Sequence, residues 1–368
     1  MNAACARRVP MVAALVVLFV PSALTFAGCN QILGIGDLTA GGRDAVDAAD
    51  GDPDAVSPRD GPVAEQDAPG KPADATVSPH DTWTTLAPMP TPRFLVTGAA
   101  SSGKGFVFDG LVSPCCTGLK VAEAYDVGLN MWSANTSSPI ALWGVSSAVL
   151  NGGIYLFGGS DSAFQPQSSV NLFNAATNQW LSRTAMGAAR AYTSAVVIDA
   201  SAYVFGGNNG SYTNRVERYE PNADSWSVRT AMPTARERTT SAVVNGVAYV
   251  FGGDRTTNDG PLAVVEAYNP ATNQWTQRTS MPTARYDATS AAVDGIIYVI
   301  GGSSSPTGPS ALDKIEAYDP VTDQWSSRRA MPTPRQGVAS FVVNGRIFVA
   351  GGADAAANQL ATLEGYTP

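Results

Sequence analysis

An arginine stands sixteen residues ahead of a glycine doublet, or of its degenerate form, five times in this chain: Arg93, Arg190, Arg236, Arg285 and Arg335. Leu142 holds the place in the one copy that lacks it. A guanidinium recognises carboxylates through a planar fork of donors, on a ligand or within its own chain. The neighbours supply a case for each. Phe94, Trp143 and Tyr286 follow the register position directly and Tyr192 comes one place further on, and arginine beside aromatics is a common hot-spot composition. Glu123, Glu217, Glu266, Glu316 and Glu364 recur in step, each two residues before a repeated aromatic. Internal Arg–Glu pairing is therefore the competing reading, and the aromatic cluster favours a ligand rim.

Other chemistry is sparse. His80 is the one histidine in 368 residues, so a zinc site of the usual His/Cys type cannot be assembled. No nucleophile elbow, phosphate-binding loop or dinucleotide fingerprint stands in a fitting context, and neither a metal nor a cofactor is expected. Cys115 and Cys116 are adjacent. In an exported protein they are candidates for a vicinal disulfide that stiffens the loop carrying them.

The elements that must hold these residues repeat every 46 to 50 positions, a period that points to a propeller. Doublets fall at Gly158-Gly159, Gly206-Gly207, Gly252-Gly253, Gly301-Gly302 and Gly351-Gly352, with Asp109-Gly110 as a degenerate first copy. An aromatic follows each (Tyr125, Phe173, Tyr219, Tyr268, Tyr318, Tyr366), and Trp132, Trp180, Trp226, Trp275 and Trp325 come seven residues after the first five. Each unit reads as four strands. A strand of small and branched residues leads through an Asn-Gly or Asp-Gly hairpin into a strand apolar on both faces, which ends at the doublet. A third strand carries the tyrosine, and a fourth begins with tryptophan.

This pattern is similar to the kelch family of β-propellers over residues 82–368, with Asp109-Gly110 and Phe173 as departures. The resemblance implies an all-β, six-bladed propeller. The last copy stops at Tyr366 before its tryptophan, and Trp83 in "TWTTLAPMP" is the orphan. The N-terminal strand is thus expected to complete the sixth blade and remove the sheet edges. In kelch domains that bind peptides, arginines in this register contact acidic ligands, so the resemblance implies a five-arginine rim at the channel mouth. The face of the long, dissimilar second-to-third-strand loops is where binding is expected. Copper radical oxidases of the same fold need two histidines, which this chain does not offer. Metal-free sugar mutarotases or epimerases using Arg and Glu remain an enzymatic alternative to a non-enzymatic binding module.

Ahead of the repeats, Arg7 and Arg8 precede an apolar run that ends at Cys29. Residues 1–28 read as an export signal, and "LTFAGC" resembles a bacterial lipobox with Cys29 as the lipidated residue. Asn30 after it favours the outer membrane over the inner. Residues 29–81 read as a disordered tether: positions 37–81 carry eleven Asp/Glu against three Lys/Arg and almost no large apolar residue, too little to offset chain entropy. His80 is read there as solvated. From Thr82 onward the balance is only about −2, which gives no electrostatic footprint for nucleic acid. The expected partners are a protein or an acidic glycan, with the membrane reached through the lipid and the propeller itself monomeric.

Overall fold

The computed structural model describes residues 80–112, 117–255, 260–305 and 310–368. The export signal, Cys29, nearly all of the tether, and the Cys115-Cys116 pair lie outside these residues.

The described residues form six four-stranded antiparallel sheets, in five of which the strand order is the sequence order, and one two-stranded sheet of Leu111–Val112 with Thr117–Gly118. Blade 1 comprises Thr97–Ser101, Lys104–Phe108, Ala122–Asp126 and Met131–Ala134, and blades 2 to 5 begin at Ser146, Ser194, Thr240 and Thr289. The sixth sheet joins Ala339–Val343, Arg346–Ala350 and Leu363–Thr367 to the N-terminal strand Thr82–Leu86. First strands touch first strands at all six junctions, so they form the inner wall of a closed ring. Their small residues have a use there. Hydroxyls meet across five junctions: Thr97 with Ser147, Ser146 with Thr193, Ser194 with Thr239, Thr240 with Ser290 and Thr289 with Ser340, at 2.5–3.0 Å. At the sixth, Gly98 lies so close to Ala339 that an added Cβ would stand 3.0 Å from the Ala339 Cβ.

The second strands are buried almost throughout, as sheets covered on both faces require. The repeated tyrosines fill the gaps between blades: Tyr125, Tyr219, Tyr268, Tyr318 and Tyr366 are fully buried. Burying a large side chain such as Phe contributes about 1.5–3 kcal/mol, so these positions carry much of the inter-blade cohesion.

Ring closure uses the same parts as every other junction. Trp83 pairs with Tyr366 in the register in which Trp132 faces Tyr125 and Trp226 faces Tyr219. Its ring lies 5.1 Å from that of Tyr366, and its Nε1 donates to the Arg329 carbonyl at 3.1 Å. Trp132, Trp180, Trp226, Trp275 and Trp325 make the equivalent bond to the preceding blade. Two residues before each tryptophan, an Asn or Asp in a left-handed conformation (Asp81, Asn130, Asn178, Asp224, Asn273, Asp323) accepts an amide bond from the neighbouring blade. In five of the six, the same oxygen accepts the tyrosine hydroxyl, as in Tyr366 Oη to Asp81 at 2.6 Å. The latch thus begins at Asp81, ahead of Thr82. His80 is exposed but not merely solvated: its Nδ1 lies 2.8 Å from the Pro368 carbonyl oxygen.

Candidate functional site

The five repeated arginines point into their blades. Arg93, Arg190, Arg236, Arg285 and Arg335 are 0–1% exposed, and each forms an ion pair with its own blade's glutamate. The distances are 2.5 Å to Glu123, 2.7 Å to Glu217, 2.9 Å to Glu266, 2.7 Å to Glu316 and 2.7 Å to Glu364. The sixteen-residue spacing has a structural cause. In blades 3 to 6, Nη1 donates to the carbonyl of the first doublet glycine, where the second strand ends and its ladder stops. A threonine hydroxyl completes the carboxylate in four blades, at Thr91, Thr234, Thr283 and Thr333. In blade 3, where Ala188 occupies that place, Arg215 donates to Glu217 instead. Burial pulls the guanidinium pKa values of Arg190, Arg285 and Arg335 down, and that of Arg236 to about 10, against the opposing glutamates. They remain charged at neutral pH. The expected open arginine rim is therefore not the arrangement found, because these guanidinium groups are enclosed and already paired.

A signal for this lies in the sequence. The one blade without the arginine also lacks the glutamate: Leu142 stands opposite a buried Asn171. Loss of both charges together marks a structural pair, since a lone buried charge is costly.

The channel mouth on the long-loop face is built one and two residues further along. The residue after each register position bridges to the residue after the doublet: Phe94 to Leu111, Trp143 to Ser160, Ala191 to Asn208, Glu237 to Asp254, Tyr286 to Ser303 and Gln336 to Ala353. The next residue has positive φ in every blade: Leu95, Gly144, Tyr192, Arg238, Asp287 and Gly337, at 51–61°. Consecutive members are joined amide to carbonyl in five bonds of 2.8–3.3 Å, from Gly144–Leu95 to Gly337–Asp287. These hydrogen bonds link the inner positions of blades 1 to 6 in sequence.

The side chains around the mouth break the repeat. One sector is apolar and aromatic. Phe94, Leu95, Leu111 and Trp143 pack together, Trp143 Nε1 donates to Tyr192 Oη at 3.2 Å, and the half-exposed Phe164 stands edge-on to Trp143 at 5.4 Å. The adjoining sector, in blades 4 and 5, is ionic. Arg238 donates to Asp287 at 3.2 Å and lies 3.9 Å from Glu237. Its guanidinium sits over the rings of Tyr192 and Tyr286, 4.9 and 5.4 Å from their centroids. Burial is the main cause of the shifts here: it pushes Glu237 up to about 7, Asp254 to about 6 and Tyr192 to about 12, with Arg238 opposing all three. Burial also raises Asp287.

Of the residues singled out in the sequence, Phe94, Trp143 and Tyr286 do reach the mouth, but as buried parts of its wall, and Tyr192 is half-buried. The sequence reading did not single out Glu237, Arg238, Asp254 and Asp287. The available signal was variation: a position in fixed register with the repeated arginine reads Leu, Gly, Tyr, Arg, Asp and Gly in turn.

A β-propeller whose blades carry the doublet, tyrosine and tryptophan in one register defines a kelch-type protein. The KLHDC2/KLHL20/DRC7 kelch-repeats domain matches residues 97–277 and 144–352, and the chain belongs to the kelch-repeat family. Among solved structures it is similar to the structure of YjhT, with a TM-score of 0.64 and 16% identity over 75% of this chain and 95% of that one, a likeness of fold. No curated protein sequence matches.

Proposed function

We propose that this chain is a non-enzymatic interaction module, exported and held at the cell envelope by lipid on Cys29, that docks a partner over the axial mouth. The observation that carries this reading is the asymmetry of the mouth. Everything that builds the propeller recurs from blade to blade, whereas Glu237, Arg238, Asp254 and Asp287 occupy one sector only and desolvate charge there. Groups that cost desolvation without serving the repeat are candidates for function. Loops on a rigid scaffold surround them, and Phe164 offers an exposed aromatic beside Trp143. The test is binding of the full chain to envelope extracts and glycan arrays, comparing Arg238→Gln and Phe164→Ala with Val321→Ser in the opposite-face turn of blade 5. Selective loss in the first two supports docking at the mouth; equal binding by all three contradicts it.

A second reading, a metal-free mutarotase or epimerase on an acidic sugar, is favoured by one feature. Glu237 is pushed up to about 7 beside Arg238, a suitable range for a general acid/base. Anomer exchange followed by NMR, accelerated by the chain and abolished by Glu237→Gln, would establish it.

A further inference from the structure

Resting on the docking reading above, we infer that the axial mouth selects an organic cation, the ammonium or guanidinium of a basic side chain on a protein partner, in place of an acidic ligand. Among the described residues the ionic sector holds three carboxylates, Glu237, Asp254 and Asp287, around the guanidinium of Arg238, with the exposed Arg255 next after Asp254 in the chain. Asp287 already engages that guanidinium at 3.2 Å. Glu237 shares the same guanidinium at 3.9 Å, so the Glu237–Asp254 bridge pair leaves negative charge in excess. Glu237 is 6% exposed and its Oε2 has no hydrogen-bond partner; Asp254 Oδ1 has none either. Glu237 pairs with Arg238 through Oε1 at 3.9 Å, so Oε2 and the Asp254 Oδ1 are the carboxylate oxygens of this bridge that keep acceptor capacity. A buried acceptor left without a donor is destabilising, more so when charged, and an incoming N–H donor relieves it.

The surroundings fit the same ligand. Tyr192 and Tyr286 already face a cation, that of Arg238, and burial, with Asp254 and Glu237 adding to it, raises the pKa of Tyr212. Aromatic faces and carboxylates together form the usual cage for an organic cation. The aromatic sector beside it, Phe94, Trp143 and Phe164, receives the apolar stem or a neighbouring residue of the partner. Among the described residues no three His, Cys, Asp or Glu side chains are grouped as a metal site would need, which directs the pair towards a donor-bearing organic cation.

The experiment uses acetyl-Gly-Xaa-Gly-amide peptides with Xaa as lysine, arginine, norleucine or glutamate, together with glucosamine as an amine from another source. Affinity for the full chain is read by calorimetry and saturation-transfer NMR. The lysine and arginine peptides are expected to bind about tenfold more tightly than norleucine, equivalent to roughly 1.4 kcal/mol. That advantage should collapse in Glu237→Gln and in Asp254→Asn, both checked for an unchanged melt, and persist in Val321→Ser. Lowering the pH from about 8 to about 6 should erode it as Glu237 and Asp254 take up protons, with Arg238, Asp287, Tyr192, Tyr212 and Tyr286 the other titratable or charged groups facing them. A glutamate peptide that binds best overturns the inference, as does a glucosamine advantage without a lysine one. If norleucine matches lysine and both weaken in Phe164→Ala, docking at the mouth stands and the cation inference falls. Absence of binding by every probe in the millimolar range overturns both.

Discussion

The buried Arg–Glu spokes and the axial mouth lie two residues apart in the chain and obey opposite rules. At the spokes, five blades repeat the same charges and enclose them as ion pairs, with a threonine hydroxyl on the carboxylate in four blades and a doublet carbonyl on the guanidinium in four. At the mouth, six blades present five residue types in one backbone conformation, and two buried carboxylate oxygens lack a hydrogen-bond partner. Charge that is repeated and paired within each blade positions the scaffold; the unique charge at the mouth is the part we propose for a partner. The blade 1–blade 2 junction shows the same economy on the structural side. Asp109 replaces the first doublet glycine at a φ of 53°, and Ser138 stands where other blades place a methionine against that glycine. The smaller residue makes room and donates to Asp109 Oδ1 at 2.5 Å.

The largest effect should come from severing a spoke. Arg236→Ala leaves Glu266 buried and unpaired, a loss of about 3–5 kcal/mol that a denaturant melt would register. The peptide affinity of the folded fraction should not change. A spoke substitution that altered affinity but left the melt alone would erase the distinction drawn above.

Opening the ring comes next. Trp83→Ala removes the stacking on Tyr366 and the bond to the Arg329 carbonyl, at a cost of about 2–3 kcal/mol for a half-buried tryptophan. Deleting residues 82–92 should lower the melting temperature much further. A melt unchanged by the deletion would contradict closure by the N-terminal strand.

Asp109 gives a pH test of the structural side. Burial raises its pKa from 3.8 to about 8. The unfolded chain therefore gives up this proton near pH 4, while the folded chain keeps it until about pH 8. Fewer protons on the unfolded state mean that this residue's contribution to stability falls as pH rises through that window. Asp109→Asn should flatten this slope and stabilise the protein at pH 7 by roughly 1–3 kcal/mol, measured by melts across the range. A steeper slope in the variant would refute the assignment.

The smallest stability effect belongs to the mouth. Glu237→Gln should change the melt at pH 7 by less than about 1 kcal/mol while abolishing the preference for lysine over norleucine. A large destabilisation would mark Glu237 as one more structural charge.

Much of this architecture was legible in the sequence because glycine doublet, tyrosine and tryptophan each do one local job at fixed spacing. The missing tryptophan after Tyr366 and the spare Trp83 even marked the closing strand. The arginines were ambiguous because residue type and register do not reveal which way a side chain turns. Their direction depends on the doublet carbonyl sixteen residues away and on a glutamate 27 to 31 residues on, and only the joint loss at Leu142 and Asn171 hinted at it. The mouth was harder still. Glu237 and Asp287 lie 50 positions apart in different blades, brought together by a ring whose members share a φ and not a residue type.

The most direct measurement is the thermal melt of Arg335→Met, Glu364→Leu and the double variant at neutral pH. If the spokes are scaffold, either single change lowers the melting temperature by several degrees, and the double recovers most of the loss because no lone charge stays buried. Single variants that melt like the parent, or a double variant whose losses simply add, would contradict the claim that the repeated arginines hold the propeller together.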